Sequence, residues 1–151
     1  MKKAIVQLLN TFIILSLVLF SHGCKKSNSS SSSFTWTYNG TANSAILYKA
    51  YISSMATTPI IVATKGTSLR TFNVSITVSS FNIGTYTING GANSLLYIDF
   101  AGNTLFASAG SINITAYSNN SISGNFSATI NDISGMSHPI TGQFVNTPVE
   151  P

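Results

Sequence analysis

The amino-acid sequence predicts an all-β domain, and three observations support this prediction. Charged residues make up only 7% of the chain, so the Glu, Lys and Arg that usually coat helices are scarce. Thr, Val, Ile, Tyr and Phe are abundant, and they suit a pleated sheet. From Phe34 onward, apolar and polar residues alternate with the period of half-buried strands. We expect about nine or ten short strands in an antiparallel β-sandwich, with a closed or partly open β-barrel as the alternative.

Residues 1–23 have the features of a signal peptide. Lys2 and Lys3 form a positively charged start, and the apolar run FIILSLVLF at 12–20 has signal-peptide length. That run is short for a membrane span, which needs about 20 apolar residues. An uncleaved anchor that begins at Ala4 is the alternative, weakened by the polar residues upstream of the run. Gly23 supplies the small residue that a signal peptidase requires before its cleavage site.

The only cysteine of the chain, Cys24, directly follows this leader. The arrangement resembles a bacterial lipoprotein signal, in which the cysteine becomes the lipid-bearing first residue, although Ser21 and His22 depart from its usual residues. The next residues, KKSNSSSSS, contain no apolar side chain and predict a flexible tether. We assign residues 24–33 to the lipidated cysteine and tether, with a plain signal peptide and an incidental cysteine as the alternative. The resemblance implies an outer-membrane anchor and leaves the leaflet open.

Alternating stretches fill residues 34–147, which we assign to one β domain, with 148–151 as a C-terminal tail. Turn signals separate the stretches, and the clearest are Asn39-Gly40, Gly102-Asn103 and Ser118-Asn119-Asn120. The last of these predicts a hairpin. In chain order, the predicted strands are FTWTY, AILYKAYI, PIIVAT, RTFNVSITVS, GTYTI, LLYIDF, SINITAY, SISGNFSATI and ITGQF.

The alternation also predicts which side chains point inward. In LLYIDF we expect Leu96, Ile98 and Phe100 to share the inward face, with Tyr97 and Asp99 facing outward. The strand AILYKAYI is apolar at most positions, which indicates that it is covered on both sides. The inward residues predicted for three other strands are Phe72, Val74, Ile76 and Val78; Ile112, Ile114 and Ala116; and Ile122, Phe126, Ala128 and Ile130.

Two glycines lie on predicted inward faces, each two residues before a phenylalanine. Gly124 precedes Phe126, and Gly142 precedes Phe144. Glycine inside a strand often marks a bulge or a place where another group approaches the backbone closely. We therefore expect either a bulge or an aromatic ring over bare backbone at these two positions, with a ligand that approaches the backbone as the remaining alternative.

The strand motifs occur in an order that resembles a known group of proteins. GTYTI at 84–88, LLYIDF at 95–100, GSINITAY at 110–117, ISGNFSATI at 122–130 and ITGQF at 140–144 resemble small Bacteroidetes lipoproteins that carry a β-rich domain of unknown function. The likeness is best over 84–144 and loose over 34–83. The resemblance implies an all-β fold and a cell-envelope location. It implies no activity, because none is assigned to that group.

Few side chains in the domain could perform catalysis. Asp99 and Asp132 are its only carboxylates within 34–147, and His138 is its only histidine. There is no G-x-S-x-G motif and no acidic or Cys/His cluster, so we predict no enzyme activity, cofactor or metal. A hydrolase that uses His138 and Asp132 with a serine is a remote alternative. After the leader, five positive and three negative residues leave a net charge of +2 without a basic patch, which excludes nucleic acid as an expected partner.

Aromatic side chains are the candidate ligand contacts. Sugars and protein partners pack on exposed aromatic faces, and we select Trp36, Tyr51, Tyr97 and Tyr117 for this role. The competing interpretation places Trp36 in the core with Phe34. The predicted protein is an exported, lipid-anchored envelope component, a non-catalytic binding module for a glycan or protein partner. The alternative is a structural envelope lipoprotein without a small ligand, which a buried Trp36 together with featureless polar faces would favour.

The lipoprotein prediction is tested at the cysteine. We expect Cys24→Ala to abolish acyl labelling and retention in the membrane fraction, because no other thiol can carry the lipid. Metabolic labelling with a fatty acid and fractionation of cells measure both effects. Ser27→Ala, in the adjoining tether, serves as the control and should keep both properties. Unchanged labelling of the Cys24→Ala protein would contradict the prediction.

Overall fold

A computed structural model describes residues 31–55, 57–66 and 71–151. The predicted leader, Cys24 and most of the tether lie outside these ranges. The described residues form ten strands and no helix, which confirms the all-β prediction and the expected strand number. The strands are β1 (Ser33–Tyr38), β2 (Thr41–Ser44), β3 (Leu47–Ser53), β4 (Thr58–Lys65), β5 (Phe72–Thr77), β6 (Gly84–Ile88), β7 (Ser94–Ile98), β8 (Thr104–Ser118), β9 (Ser121–Asn131) and β10 (Ser137–Glu150).

Strand pairing closes a barrel. Seven strands form a ring in the order β10-β3-β4-β5-β7-β8-β9, and β9 pairs with β10 again. β1 and β2 extend the sheet from the other edge of β10, and β6 pairs with β8. All these pairings are antiparallel except that between β10 and β3. The preferred sandwich is therefore not confirmed, and the ring matches the barrel that was the alternative.

The parallel pairing uses residues that sequence reasoning assigned to a tail. Val149 pairs with Ala50 and Glu150 pairs with Tyr51, so 148–150 belong to β10 and close the ring. The prediction of a tail at 148–151 is thus wrong up to Glu150. Pro148 lies between Val145, the last partner of β1, and Val149, the first partner of β3, along this edge, where proline is tolerated.

Two long strands turn the corners of the barrel. β8 pairs with β7 through Thr104–Phe106 and with β9 from Ala107 onward, and its register with β9 shifts between Ala107 and Ala109. β10 shifts register between Phe144 and Thr147, where Asn146 has a positive φ of 45°. Bulges bend strands in this way and let one strand serve two sheets. The result is a six-stranded wall, β2-β1-β10-β9-β8-β6, opposite a four-stranded wall, β3-β4-β5-β7, extended by the start of β8.

The core between the walls is organised around four aromatic rings. The ring centroid of Phe34 lies 6.1 Å from that of Trp36 and 6.0 Å from those of Phe126 and Phe144. In the register of β9 and β10, Phe126 lies opposite Gly142, and Phe144 lies opposite Gly124. A Cβ atom built on Gly142 would lie 2.6 Å from Cε1 of Phe126. Aromatic packing over bare backbone, one of the two outcomes expected at these glycines, is therefore the one observed.

Two predicted inward faces are wrong in part. In β7, Leu95 and Tyr97 are buried, whereas Leu96 and Ile98 face outward. Because β7 is apolar on both faces, its sequence does not reveal which face points into the core. Its pairing with the inward-facing residues of β5 determines that Leu95 and Tyr97 do. Ala116 faces outward because β8 shifts register between Ile114 and Ala116.

The expectation that the strand AILYKAYI is covered on both sides is also not met. Its inward Ala50 is fully buried, but Leu47 and Lys49 on the other face are exposed. That face belongs to the outside of the four-stranded wall.

The glycine–phenylalanine contacts generate a stability prediction. We expect Gly142→Ala to lower the free energy of unfolding by about 1–3 kcal/mol, because the added methyl group overpacks the site against Phe126 and the Thr35 carbonyl. Urea unfolding followed by tryptophan fluorescence measures the change. Gly91→Ala is the control, since its nearest contact at 3.4 Å is an ordinary one. Equal stability of the two variants would contradict this account of the core.

Candidate functional site

Two of the four candidate aromatics lie in the core. The exposed fraction is 2% for Trp36 and 1% for Tyr97, so neither can meet a ligand from solvent. Burial raises the pKa of Tyr97 to about 12, and the nearby Trp36 indole offsets part of the rise. Nε1 of Trp36 is itself buried and meets no acceptor in hydrogen-bonding geometry. The selection of Trp36 and Tyr97 as ligand contacts is wrong, and the competing core interpretation of Trp36 holds.

The other two aromatics are accessible but occupy different surroundings. Tyr51 lies on the outer face of β3, where Lys49 Nζ is 5.5 Å from its ring centroid. Tyr117 is 39% exposed and packs against Phe81 at 5.5 Å between centroids. It lines a shallow pocket of about 390 Å³ with Ile52, Asn119, Asn120 and the end of β10, and Tyr51 does not line that pocket. The structure therefore does not unite the four aromatics in one site.

The His138–Asp132 pair forms, but in a structural turn. Nε2 of His138 lies 2.9 Å from Oδ2 of Asp132, and the Ser134 hydroxyl donates to Oδ1 over 2.6 Å. The carboxylate thus stands between the hydroxyl and the imidazole, whereas a hydrolytic triad needs the imidazole in the middle. The hydrogen bond from Ser134, then that from His138, hold the Asp132 pKa well below its usual range. Backbone N–H groups of Ser134 and Met136 also donate to it.

Asp99 is engaged in a second turn, between β7 and β8. Burial opposes ionisation of Asp99, but hydrogen bonds from the side chain and backbone of Asn103 and from nearby backbone outweigh it and lower the pKa. The pKa of Tyr38 is raised mainly by burial, and the negative charges of Asp132 and then Asp99 raise it further. Across the described ranges, no group of three or more His, Cys, Asp or Glu side chains is placed to hold a metal ion. The geometry gives the hydrolase alternative no support.

The outer face of the six-stranded wall carries an array that the sequence analysis did not identify. The registers align its outward side chains in two rows that cross all six strands. Neighbouring groups are about 4.8 Å apart between strands and about 7 Å apart along a strand. One row is Ser44, Thr35, Gln143, Asn125, Asn113 and Thr85, and the other is Ala42, Thr37, Thr141, Ser127, Ser111 and Thr87.

A groove of about 620 Å³ lies at one end of these rows, over β2, β1, β10 and β9. The side chains along it are uncharged: Thr35, Thr37, Ser44, Asn125, Thr141 and Gln143. Asn43 at its margin is fixed by its own contacts, since its Oδ1 accepts from Lys65 Nζ over 2.9 Å and its Nδ2 donates to the Thr41 carbonyl. Hydroxyl and amide groups offer donors and acceptors at once, which are the contacts that sugar hydroxyls can satisfy.

The alternation of the strands indicated that these residues face outward, but not that they align. The side chains line up only if each strand pairs with its neighbour in one particular register. That register depends on which strands pair, which the sequence of a single strand does not show. For example, Thr35 on β1 and Thr85 on β6 belong to the same row although they are far apart in the chain.

Among the described residues, no helix is both long enough and apolar enough to cross a membrane. No family model, curated protein or solved structure matches the chain.

The turn at Asp132 generates a pH prediction. We expect Asp132→Asn to lower the thermal midpoint at neutral pH, because the charge-assisted hydrogen bonds from Ser134 and His138 are lost. The folded-state pKa is depressed, so this stabilisation is complete above the ordinary value of about 3.9 and disappears as the pH falls through the lower, folded-state pKa.

The difference between wild type and Asp132→Asn should therefore shrink as the pH is lowered below about 4. Thermal unfolding followed by circular dichroism across this range measures it. Ser137→Ala is the matched control, because it removes a hydrogen bond to the neutral Asn131 in the same loop. A difference that stays constant into the acid range would contradict this account.

Proposed function

We propose that the protein is an exported, lipid-anchored component of the cell envelope and a non-catalytic binding module for a neutral glycan. The single observation that carries the glycan proposal is the groove on the six-stranded wall, with its aligned hydroxyl and amide groups. The leader, Cys24 and the serine-rich tether support the location.

The chemistry of the groove suits a ligand without charge. A glycan presents many hydroxyl groups, and each can donate and accept a hydrogen bond. The amides of Gln143 and Asn125 can contact adjacent hydroxyls of a sugar. Thr35 is the neighbour of Gln143 in the same row, and Thr141 lies in the other row. A charged ligand would meet no opposite charge there, because none of the described side chains that line the groove is ionised.

The expected affinity for a single sugar is low. A net hydrogen bond contributes about 1 kcal/mol, and the groove has no exposed aromatic ring to add stacking. A polymer that contacts several units of the rows at once gains from effective concentration. A repeating polysaccharide therefore fits the site better than a free monosaccharide.

A structural envelope component is the second candidate function. The burial of Trp36 favours it, because Trp36 and Tyr97 cannot meet a ligand and only Tyr51 and Tyr117 of the four candidate aromatics are accessible. In that case the polar rows act only to keep the sheet hydrated while the chain carries few charges.

The groove is tested by removing its amides. We expect Gln143→Ala and Asn125→Ala each to weaken retention by an immobilised neutral polysaccharide about fivefold, from the loss of about 1 kcal/mol per hydrogen bond. Affinity electrophoresis against a panel of bacterial and plant polysaccharides measures the dissociation constants. Both side chains are exposed, so the variants should keep wild-type stability.

Thr104→Ala is the matched control, since it removes an exposed polar group from the opposite wall. If Thr104→Ala weakens binding as much as the two groove variants, the groove is not the site. If the wild-type protein stays in the membrane fraction but no polysaccharide retains it, the structural candidate replaces the glycan proposal.

A further inference from the structure

The two polar rows of the six-stranded wall differ in chemistry. In the first row, which we call the amide row, amides occupy three adjacent strands: Gln143 on β10, Asn125 on β9 and Asn113 on β8. In the second, the hydroxyl row, every strand carries a Ser or Thr hydroxyl except β2, which contributes Ala42. A ligand on this wall therefore meets amides on one side and hydroxyl groups on the other.

The two rows cross the wall without a break in register. The register shifts of β8 and β10 all lie outside the segments that carry the rows. The twist of a sheet rotates successive strands about an axis that runs across them. Two adjacent rows follow that axis, so they keep their separation of about 7 Å and their step of about 4.8 Å per strand. The wall thus offers a periodic track with one pair of hydrogen-bonding groups per strand.

The amides at the centre of this track are available to a ligand. Among the described residues, the side chains of Gln143 and Asn125 have no hydrogen-bond partner, and both are exposed. Asn113 is oriented from the far side, because the Thr85 hydroxyl donates to its Oδ1 over 3.3 Å. That contact leaves the two N–H donors of the Asn113 amide for a ligand. The amide row therefore continues beyond the groove, from β9 onto β8 and β6.

We propose that the glycan is an extended β-1,4-linked polysaccharide of glucose, mannose or xylose that lies across the strands, along the two rows. This inference rests on the proposed function, because it names the class of ligand for the same groove. Equatorial bonds join the rings of such a chain into a flat ribbon, and the length of one sugar unit is close to the strand spacing of about 4.8 Å. Each sugar can therefore face one strand, with its hydroxyl groups between the amide row and the hydroxyl row.

Other chain geometries do not fit this periodicity. The axial bond of an α-1,4-linked glucan turns each ring relative to the last, so the chain coils and leaves the rows after a few units. A chain along a single strand meets groups that are about 7 Å apart, which is longer than one sugar unit. The groove covers β2, β1, β10 and β9, so about four units fill it. Two further units reach Asn113 and Thr85.

Affinity as a function of linkage and chain length tests the proposal. The full chain, purified from membranes in a detergent without sugar groups, is titrated calorimetrically with cello-oligosaccharides of two to six glucose units. Malto-oligosaccharides of the same lengths are the matched control, because they contain the same sugar in α-1,4 linkage. We expect the affinity for the cello series to rise with each unit up to about six, one for each strand that the rows cross, and the malto series to show no such rise. Equal length dependence in the two series overturns the proposal.

Variants beyond the groove determine the direction of the chain. Asn113→Ala removes an amide of the same row, and Thr129→Ala removes a hydroxyl farther along β9. For a chain across the strands, Asn113→Ala should weaken binding of the six-unit oligosaccharide about fivefold, from the loss of one hydrogen bond, and leave four-unit binding unchanged. Thr85→Ala, on the exposed edge strand, should show the same length dependence and guards against misfolding of Asn113→Ala. A loss with Thr129→Ala, or no loss with Asn113→Ala and Thr85→Ala, overturns the proposal.

This inference and the proposed function fail in different ways. If neither oligosaccharide series nor any polysaccharide of the panel binds, the glycan proposal is wrong, and the ligand class fails with it. If neutral polysaccharides bind through Gln143 and Asn125 without preference for β-1,4 linkage, the groove stands as the site, and only the ligand class is wrong.

Discussion

The reciprocal contact between two glycines and two phenylalanines is the constraint on which the barrel depends. Phe126 and Phe144 project from neighbouring strands into the same layer of the core, and each ring occupies the space that a side chain on the opposite residue would fill. Gly142 is also the cross-strand neighbour of Trp36, so its missing side chain makes room on both sides. Large and small residues therefore alternate across the sheet, as close packing between two walls requires.

This packing also explains how one barrel has two different outer surfaces. With the rings turned inward along β1, β9 and β10, the intervening Thr, Ser, Asn and Gln must face outward, and their registers align them in rows. β4 and β7 are apolar on both faces, so their outward positions leave apolar side chains in water. The bulges in β8 and β10 connect the walls, and the last residues of β10 close the ring.

Charged side chains are scarce, and this limits the kind of ligand that the outer surface of the six-stranded wall could bind. On the six-stranded wall, hydroxyl and amide groups keep the surface hydrated while carrying no net charge. Such a surface suits a neutral hydrogen-bonding ligand better than an ionic one. The few ionised groups are used locally. Asp99 and Asp132 each organise a hairpin turn, and Lys49 pairs with Glu150 at the barrel closure over 2.7 Å. The residues of the proposed binding groove are therefore different from the ionised residues that organise the turns.

The sequence by itself determined the strand character, the turns and most inward faces, because these are local consequences of two-residue alternation and of glycine and asparagine in turns. It also marked Gly124 and Gly142 as positions of a bulge or of an aromatic contact. Only the tertiary structure decided that Tyr97 points inward, that 148–150 close a barrel, and that polar side chains from distant strands form one groove. These features depend on register and on which strands become neighbours, and those are set by packing between residues far apart in the chain.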